Sequence, residues 1–190
     1  LDEYPRLRVV LLDSNQGKST ALNAGLKVSQ AEIVVCVDGD ALLDPNAVTW
    51  FVNAFQSDAA LGGLTGNPQI RNRSSLLGRL QVGEFSSIVG MIKRTQSVWG
   101  SILTVSGVIC AFRKQAVLDT GGWNPTALTD DMDLTLRMQA TGWRVTYEPN
   151  AICWILMPEK FGGLWRQRLR WSEGGIAAVT SAVPLAFRQR

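Results

Sequence analysis

Apolar positions along this 190-residue chain follow two patterns: unbroken runs, and runs spaced by three or four. The clearest unbroken run is 33–37, Ile-Val-Val-Cys-Val, which stops abruptly at Asp38-Gly39-Asp40. A short β-branched run of this kind predicts a strand buried on both faces, as in a parallel sheet. Apolar stretches at 8–12 and 61–65 predict two more strands, the second stopped by Gly66-Asn67-Pro68. Residues 143–147 and 151–156 are also strand-like, and 105–112 is apolar with Ser106-Gly107 near its start.

Helical spacing fills the intervals. Residues 18–28 place Leu22 and Leu26 one turn apart. Asp44-Pro45 predicts a helix start, with Asp as N-cap and Pro at the first position, and Val48, Phe51, Val52 and Phe55 form the face that follows. A largely helical stretch is predicted over 76–89, weakened by Gly78 and Gly83, with Gly90 just beyond. Further helices are predicted over 132–140, ending near Gly142, and over 165–178. Strands alternating with helices argue for one mostly parallel α/β domain.

Composition narrows the chemistry. A chain 46% hydrophobic and 18% charged is globular, and 190 residues suffice for one domain with a sizeable core. A net charge of +3 is too small to imply nucleic acid. Histidine is absent, which removes Ser-His-Asp triads, Cys-His dyads and His-ligated zinc; any general base is a carboxylate, Lys, Tyr or Cys. Cys36, Cys110 and Cys153 lie in apolar runs with no CxxC, so three buried thiols in a reducing compartment are expected. No apolar run approaches the length of a membrane span, and the chain starts at Leu1; a fragment is expected, with membrane segments outside it.

Three clusters carry candidate chemistry. Asp38 and Asp40 emerge at the carboxyl end of a predicted strand, where open α/β sheets bind ligands. Gly39 lets the chain turn so that both acids converge. Converged carboxylates repel unless a cation lies between them, and a hard divalent ion that also grips a diphosphate suits the pair. Gly17-Lys18-Ser19 resembles the end of a P-loop, but the glycine needed at position 12 is Leu12, so an NTPase is not the reading. Lys18 can still meet phosphate as a point charge; alone, it reads as an exposed lysine in a first helical turn. Thr129-Asp130-Asp131-Met132-Asp133 places three acids at a helix start, which suits N-capping by Thr129 or Asp130, or a general base for an attacking hydroxyl. Gln167-Arg168-Leu169-Arg170-Trp171 puts Gln167, Arg170 and Trp171 on one helical face, suited to a diphosphate and a sugar, or to a membrane surface.

Asp38-Gly39-Asp40, Thr129-Asp130-Asp131 and Gln167-Arg168-Leu169-Arg170-Trp171, in this order, resemble the DxD, TED and QxxRW motifs of processive family 2 glycosyltransferases. The motifs span most of the chain. Thr65-Gly66-Asn67-Pro68, Gln81-Val82-Gly83-Glu84-Phe85-Ser86-Ser87, Val105-Ser106-Gly107 and 153–159 are most similar to bacterial poly-β-1,6-N-acetylglucosamine synthases of biofilm formation. The resemblance implies a GT-A-like α/β fold, with a mixed, mostly parallel sheet flanked by helices. It implies sugar transfer with inversion from a UDP-sugar, N-acetylglucosamine foremost, to the end of a growing β-linked polysaccharide. By family role, Asp131 is the catalytic base, Asp38 contacts the nucleotide sugar, and Asp40 holds a divalent metal, Mg or Mn. Lys18, Asp130, Gln167, Arg170 and Trp171 are the other substrate-binding candidates.

The resemblance also implies the cytoplasmic face of the inner membrane, attachment through segments outside this chain, an interfacial helical region at about 160–190 and an accessory synthase subunit. Two departures stand out. The glutamate of TED is Asp130, one methylene shorter. The family carries an earlier strand and an acidic uridine-binding motif, yet only seven residues precede the first predicted strand. A single partial catalytic domain over 1–190, truncated at its N-terminal part and inactive alone, is therefore expected. The alternatives are a non-processive family 2 transferase and a non-catalytic carbohydrate-binding scaffold derived from one.

Overall fold

The computed structural model describes residues 4–188, with side chains to residue 184. Helix α1 (Lys18–Val28) leads into strand β1 (Ile33–Val37), a short β2 (Leu42–Leu43), helix α2 (Ala47–Ser57) and the long β3 (Leu61–Ile70). Then come α3 (Leu76–Phe85), a π-helix (Ser86–Ile92) and α4 (Lys93–Val98), followed by β4 (Ile109–Arg113) and α5 (Lys114–Asp119). Helix α6 (Asp130–Ala140), strand β5 (Arg144–Ile155) and helix α7 (Phe161–Arg188) complete the order.

The five strands form one sheet in the order β1-β4-β3-β5-β2. Only β3 and β5 pair in parallel; β1–β4, β3–β4 and β2–β5 are antiparallel. The sheet is thus mixed, as the family resemblance implies, but not mostly parallel. The alternation of strands and helices cannot reveal this, because long connections permit either pairing. Strand β1 departs likewise: it is a half-buried edge strand, antiparallel to β4, rather than a doubly buried parallel one.

Side-chain alternation along β4 builds the core on both faces. Cys110 and Phe112 point into a cluster with Leu26, Val117, Leu134 and Met138, beneath α1, α5 and α6. Ile109 and Ala111 point into the opposite cluster with Phe51, Phe55 and Leu64, against α2. Phe51 and Phe112 are fully buried, each contributing about 2–3 kcal/mol by removal from water.

Strand β5 serves both clusters by changing face midway. Thr65 pairs with Tyr147, but Asn67 pairs with Ile152, so β5 carries extra residues at that point. These include Glu148, Pro149 and Asn150; Pro149 has no N–H for the ladder, and its carbonyl accepts from Asn67 Nδ2 at 2.9 Å. The bulge is why 143–147 and 151–156 read as two segments. Gly66-Asn67-Pro68 does not stop β3. A Cβ at Gly66 would lie 2.6 Å from the Ala151 carbonyl, so glycine lets β5 approach and the strand continues.

Residues 8–12 are in no strand, and Val9 and Leu11 are exposed. A strand needs a ladder partner, and none among the described residues pairs with this stretch. Helix α2 starts later than Asp44-Pro45 predicts: Asp44 Oδ1 accepts the Asn46 N–H at 3.0 Å, forming an Asx turn that puts Asn46 at the N-cap position. Helix extends past 89 to Val98, and α7 extends from Phe161 to Arg188, beyond 165–178. Leu76 and Leu80 of α3 are exposed. All three cysteines are free thiols; Cys110 and Cys153 are buried, and Cys36 is half-buried opposite Cys110 across β1 and β4. No helix among the described residues is long and apolar enough to cross a membrane.

Candidate functional site

Where β1 ends, the Asp38 carbonyl accepts the Ala41 N–H at 3.0 Å, closing a turn with Gly39 and Asp40 at its centre. The turn does form at Gly39, but Gly39 is not among the glycines with positive φ, and nothing lies within 4 Å of where its Cβ would be. Open space above the turn, rather than backbone strain, is what this glycine supplies. Asp40 is exposed at the turn, and Asp38 is half-buried.

Lys18, at the start of α1, closes the other side. Its Nζ lies 2.6 Å from Asp38 Oδ1 and donates to the Gly107 carbonyl at 3.2 Å. Burial disfavours the ammonium, but the hydrogen bond and charge of Asp38 outweigh it, with Asp130 adding to them, and the Lys18 pKa is raised.

Gly107 joins this pair to the second acidic cluster. Its N–H donates to Asp131 Oδ2 at 3.1 Å, while Asp131 Oδ1 accepts the Met132 N–H at 2.8 Å. Burial raises the Asp131 pKa first, the Asp130 charge raises it further, and the two backbone N–H groups and Lys93 oppose the rise. The capping alternative is only partly realised. Thr129 holds the N-cap position of α6, but its side chain makes no cap hydrogen bond. Asp133 is structural, paired with Arg137 at 2.7 Å one helical turn on. Asp131 is therefore the acid of the three joined to the Lys18–Asp38 pair through Gly107, while the charge of Asp130 acts on Lys18 itself.

The loop carrying Gly107 is held from three directions. The Val105 N–H donates to Thr135 Oγ1 of α6 at 3.1 Å, and the Ser106 N–H donates to Thr65 Oγ1 of β3 at 2.8 Å. From α4, Lys93 Nζ donates to Ser106 Oγ at 2.9 Å and to Thr65 Oγ1 at 3.3 Å. Sequence reading missed Lys93 and Gly107 as site residues. The signal available for Gly107 was the Ser-Gly pair before an apolar run; for Lys93 it was a lysine following a long apolar helix.

Gln167, Arg170 and Trp171 lie on α7 and form no hydrogen bond with the acidic cluster among the described residues. Their local scaffold is Arg168, also missed from sequence. It stacks over Trp171 at 4.4 Å, donates to Gln167 Oε1 at 3.0 Å and pairs with Glu84 of α3 at 2.5 Å. Arg170 is exposed. Helix α7 reaches α6 at Gly174, where a Cβ would lie 2.3 Å from Thr129 Cγ2. Trp171 is one turn, and Gln167 two turns, before this contact on α7.

A divalent cation fits the donor set in one specific way. Among the described residues no cluster of three or more acids or cysteines could enclose an ion. One or two carboxylates, completed by substrate phosphates, is the usual setting for magnesium. The exposed Asp40 beside open space has that chemistry.

The chain is similar along nearly its whole length to known transferases. The family model described as "Glycosyltransferase like family 2" matches residues 1–174. The poly-beta-1,6-N-acetyl-D-glucosamine synthase of Staphylococcus aureus (strain COL) is 44% identical over 164 residues, 86% of this chain and 40% of that protein. The Staphylococcus epidermidis synthase of the same name is 44% identical over 168 residues, 88% of this chain and 41% of that protein. The chain thus spans about two fifths of the length of these relatives. A mannosyltransferase from Pyrobaculum calidifontis, solved in complex with GDP-Man and Mn2+, superposes with a TM-score of 0.74 at 22% identity, covering 96% of this chain and 49% of that one. That likeness shows a shared GT-A-type fold. On the match of the family model and the identity of these relatives, the chain belongs to the family 2 glycosyltransferases.

Proposed function

We propose that this chain forms part of the catalytic core of an inverting synthase that transfers N-acetylglucosamine from UDP-N-acetylglucosamine to the end of a β-linked polysaccharide. The single observation that carries the reading is the chain of contacts Asp38–Lys18–Gly107–Asp131, which links the DxD turn to the acidic helix start. The sugar assignment rests on the 44% identity to proteins named poly-beta-1,6-N-acetyl-D-glucosamine synthases.

In this reading Asp131 takes the proton from the acceptor hydroxyl as its oxygen bonds to the anomeric carbon. The bond from that carbon to the diphosphate oxygen breaks, and its electron pair leaves with UDP. Attack opposite the leaving group inverts the configuration. Burial suits Asp131 to this task, because a carboxylate whose pKa is raised toward neutrality accepts a proton more readily. Asp40 would hold a divalent metal, which when bound neutralises charge on the leaving diphosphate. Asp38 and Lys18 orient the donor, Asp130 lies beside the acceptor, and Arg170 offers a diphosphate clamp. Gln167 and Trp171 offer an amide and a flat face to the acceptor sugar.

Asp130 stands where the family motif carries glutamate; its charge still acts on Asp131. QxxRW favours processive synthesis over single-sugar transfer. Action at the cytoplasmic face of the membrane, with an accessory subunit, belongs to the same proposal.

A donor screen on the full-length protein tests the reading. UDP-N-acetylglucosamine, UDP-glucose and a divalent metal are supplied, and UDP release and polymer are followed. Polymer from UDP-N-acetylglucosamine alone is expected; turnover of UDP-glucose in its place would reassign the donor. Absence of metal-dependent nucleotide binding in folded protein would favour the scaffold alternative. Asp40→Ala should weaken metal-dependent UDP binding about tenfold or more, in line with loss of one ligand to a weakly held ion.

A further inference from the structure

Lys93 reverses the logic of its helix. Met91 and Ile92, just before it, are 64% and 45% exposed, while Lys93 is 5% exposed. An amphipathic helix would place these the other way round. The reversal follows directly on the π-helix Ser86–Ile92, whose wider turn changes which positions face the core; such insertions concentrate at functional sites.

The buried ammonium is held by hydroxyls alone. Ser106 Oγ lies at 2.9 Å and Thr65 Oγ1 at 3.3 Å, and no carboxylate forms a salt bridge with it among the described residues. Burying a cation on neutral partners is unfavourable, and methionine would fill the same space without that penalty. A charge kept under these conditions acts on something nearby. Asp131 is the anion whose charge reaches it, and Lys93 in turn favours ionised Asp131. The connection is also mechanical: Lys93 grips Ser106, and the next residue, Gly107, donates its N–H to Asp131.

We propose that Lys93 is a positioning residue for Asp131, holding the Ser106-Gly107 loop against that carboxylate and keeping it ionised. The inference rests on the reading of Asp131 as the base. Burial lowers the Lys93 pKa to about 8 against the pull of Asp131, so its charge is present throughout the acid range. The other groups acting on this pair are Asp130 on α6 and the Cys110 thiol on β4; Lys18 of α1 lies across Gly107.

The test is the pH dependence of kcat in the full-length protein, with UDP-N-acetylglucosamine and metal saturating, for Lys93→Met. The acid limb is expected to move up by about one pH unit, a tenfold loss on that limb that recovers at higher pH, with KM for the donor unchanged. A loss equal at every pH, with the limb in place, would overturn the proposal. Ser106→Ala, which keeps the lysine but removes one of its partners, should shift the limb the same way by less. If Lys93→Met does not fold, Ser106→Ala decides, and an unmoved limb there rejects the role. Asp131→Asn separates the two levels: turnover in that variant sinks the base assignment, whereas an inactive Asp131→Asn with an unmoved Lys93→Met limb sinks only the inference about Lys93.

Discussion

Lys18 Nζ stands 2.6 Å from Asp38 Oδ1 and reaches the Gly107 carbonyl at 3.2 Å, so one side chain ties the end of β1 to the loop that seats Asp131. The helix start holding Lys18 and the turn holding Asp38 are twenty residues apart, and the pair fixes their separation. Lys18→Met should release Asp38 and weaken UDP-sugar binding by about tenfold, measurable by calorimetry on the full-length protein. Because both partners are partly exposed, the loss of folding stability should stay below about 1 kcal/mol.

With Asp131 as the proposed base, its ionisation sets the acid limb of activity. It must be ionised to accept a proton, so the rate should fall as pH drops through its raised pKa, at a value above the usual 3.8. Asp130→Asn removes the second cause of the rise and should move the limb to lower pH, opposite to Lys93→Met. The linked stability has a definite sign. Between 3.8 and the raised value the folded state binds the extra proton, so the Asp131 contribution to stability decreases as pH rises through that window. Rate–pH profiles of the two variants check the directions.

Gly107→Ala tests the crowding at the centre of the site. The added Cβ would lie 3.2 Å from Asp131 Oδ2 and 3.4 Å from Lys18 Nζ. Gly107 has no positive φ, so alanine adds no backbone strain. With Asp131 and Lys18 in their proposed roles, the expected outcome is a drop in kcat of about 10- to 100-fold with little change in Tm, since small displacements of reacting groups cost rate more than stability. Full turnover with an unchanged Tm would show that Asp131 and Lys18 need not be where they are found.

Arg168 joins α7 to α3 through Glu84 and supports Trp171 from below. Arg168→Ala should cost about 1 kcal/mol, roughly 3 °C in Tm, and lower activity through loss of the Trp171 orientation. Arg168→Lys should not restore activity, because an ammonium cannot stack, pair and donate to Gln167 in one plane. A double-mutant cycle with Glu84→Gln measures the coupling.

Several residues of the candidate site are legible in the sequence because its acids are contiguous with strong local signals. The run into Asp38 marked a strand end, and the α1 span of Lys18–Val28 was read correctly from spacing alone. The three motifs identified the family. What escaped were partners chosen by tertiary geometry. Arg168 lies within QxxRW at a position the motif leaves free, and Glu84 is distant in sequence. Lys93 depends on a π-helix, which has no periodic signature in the apolar pattern.

Strand direction was misread for a related reason. The apolar run of β1 reports burial, and its antiparallel partner β4 arrives only after more than seventy residues. The Gly66-Asn67-Pro68 break failed because turn residues also serve where two backbones must approach closely, as Gly66 does against Ala151. Residues 8–12 have the composition of a strand, but composition does not supply a ladder partner.

The most direct test of the central claim is the anomeric configuration of the product made by the full-length protein from UDP-α-N-acetylglucosamine, read by NMR of the isolated polymer. Single displacement with Asp131 as base predicts β linkages throughout, and none from Asp131→Asn. Alpha linkages, or β product from Asp131→Asn at the parent rate, would contradict it.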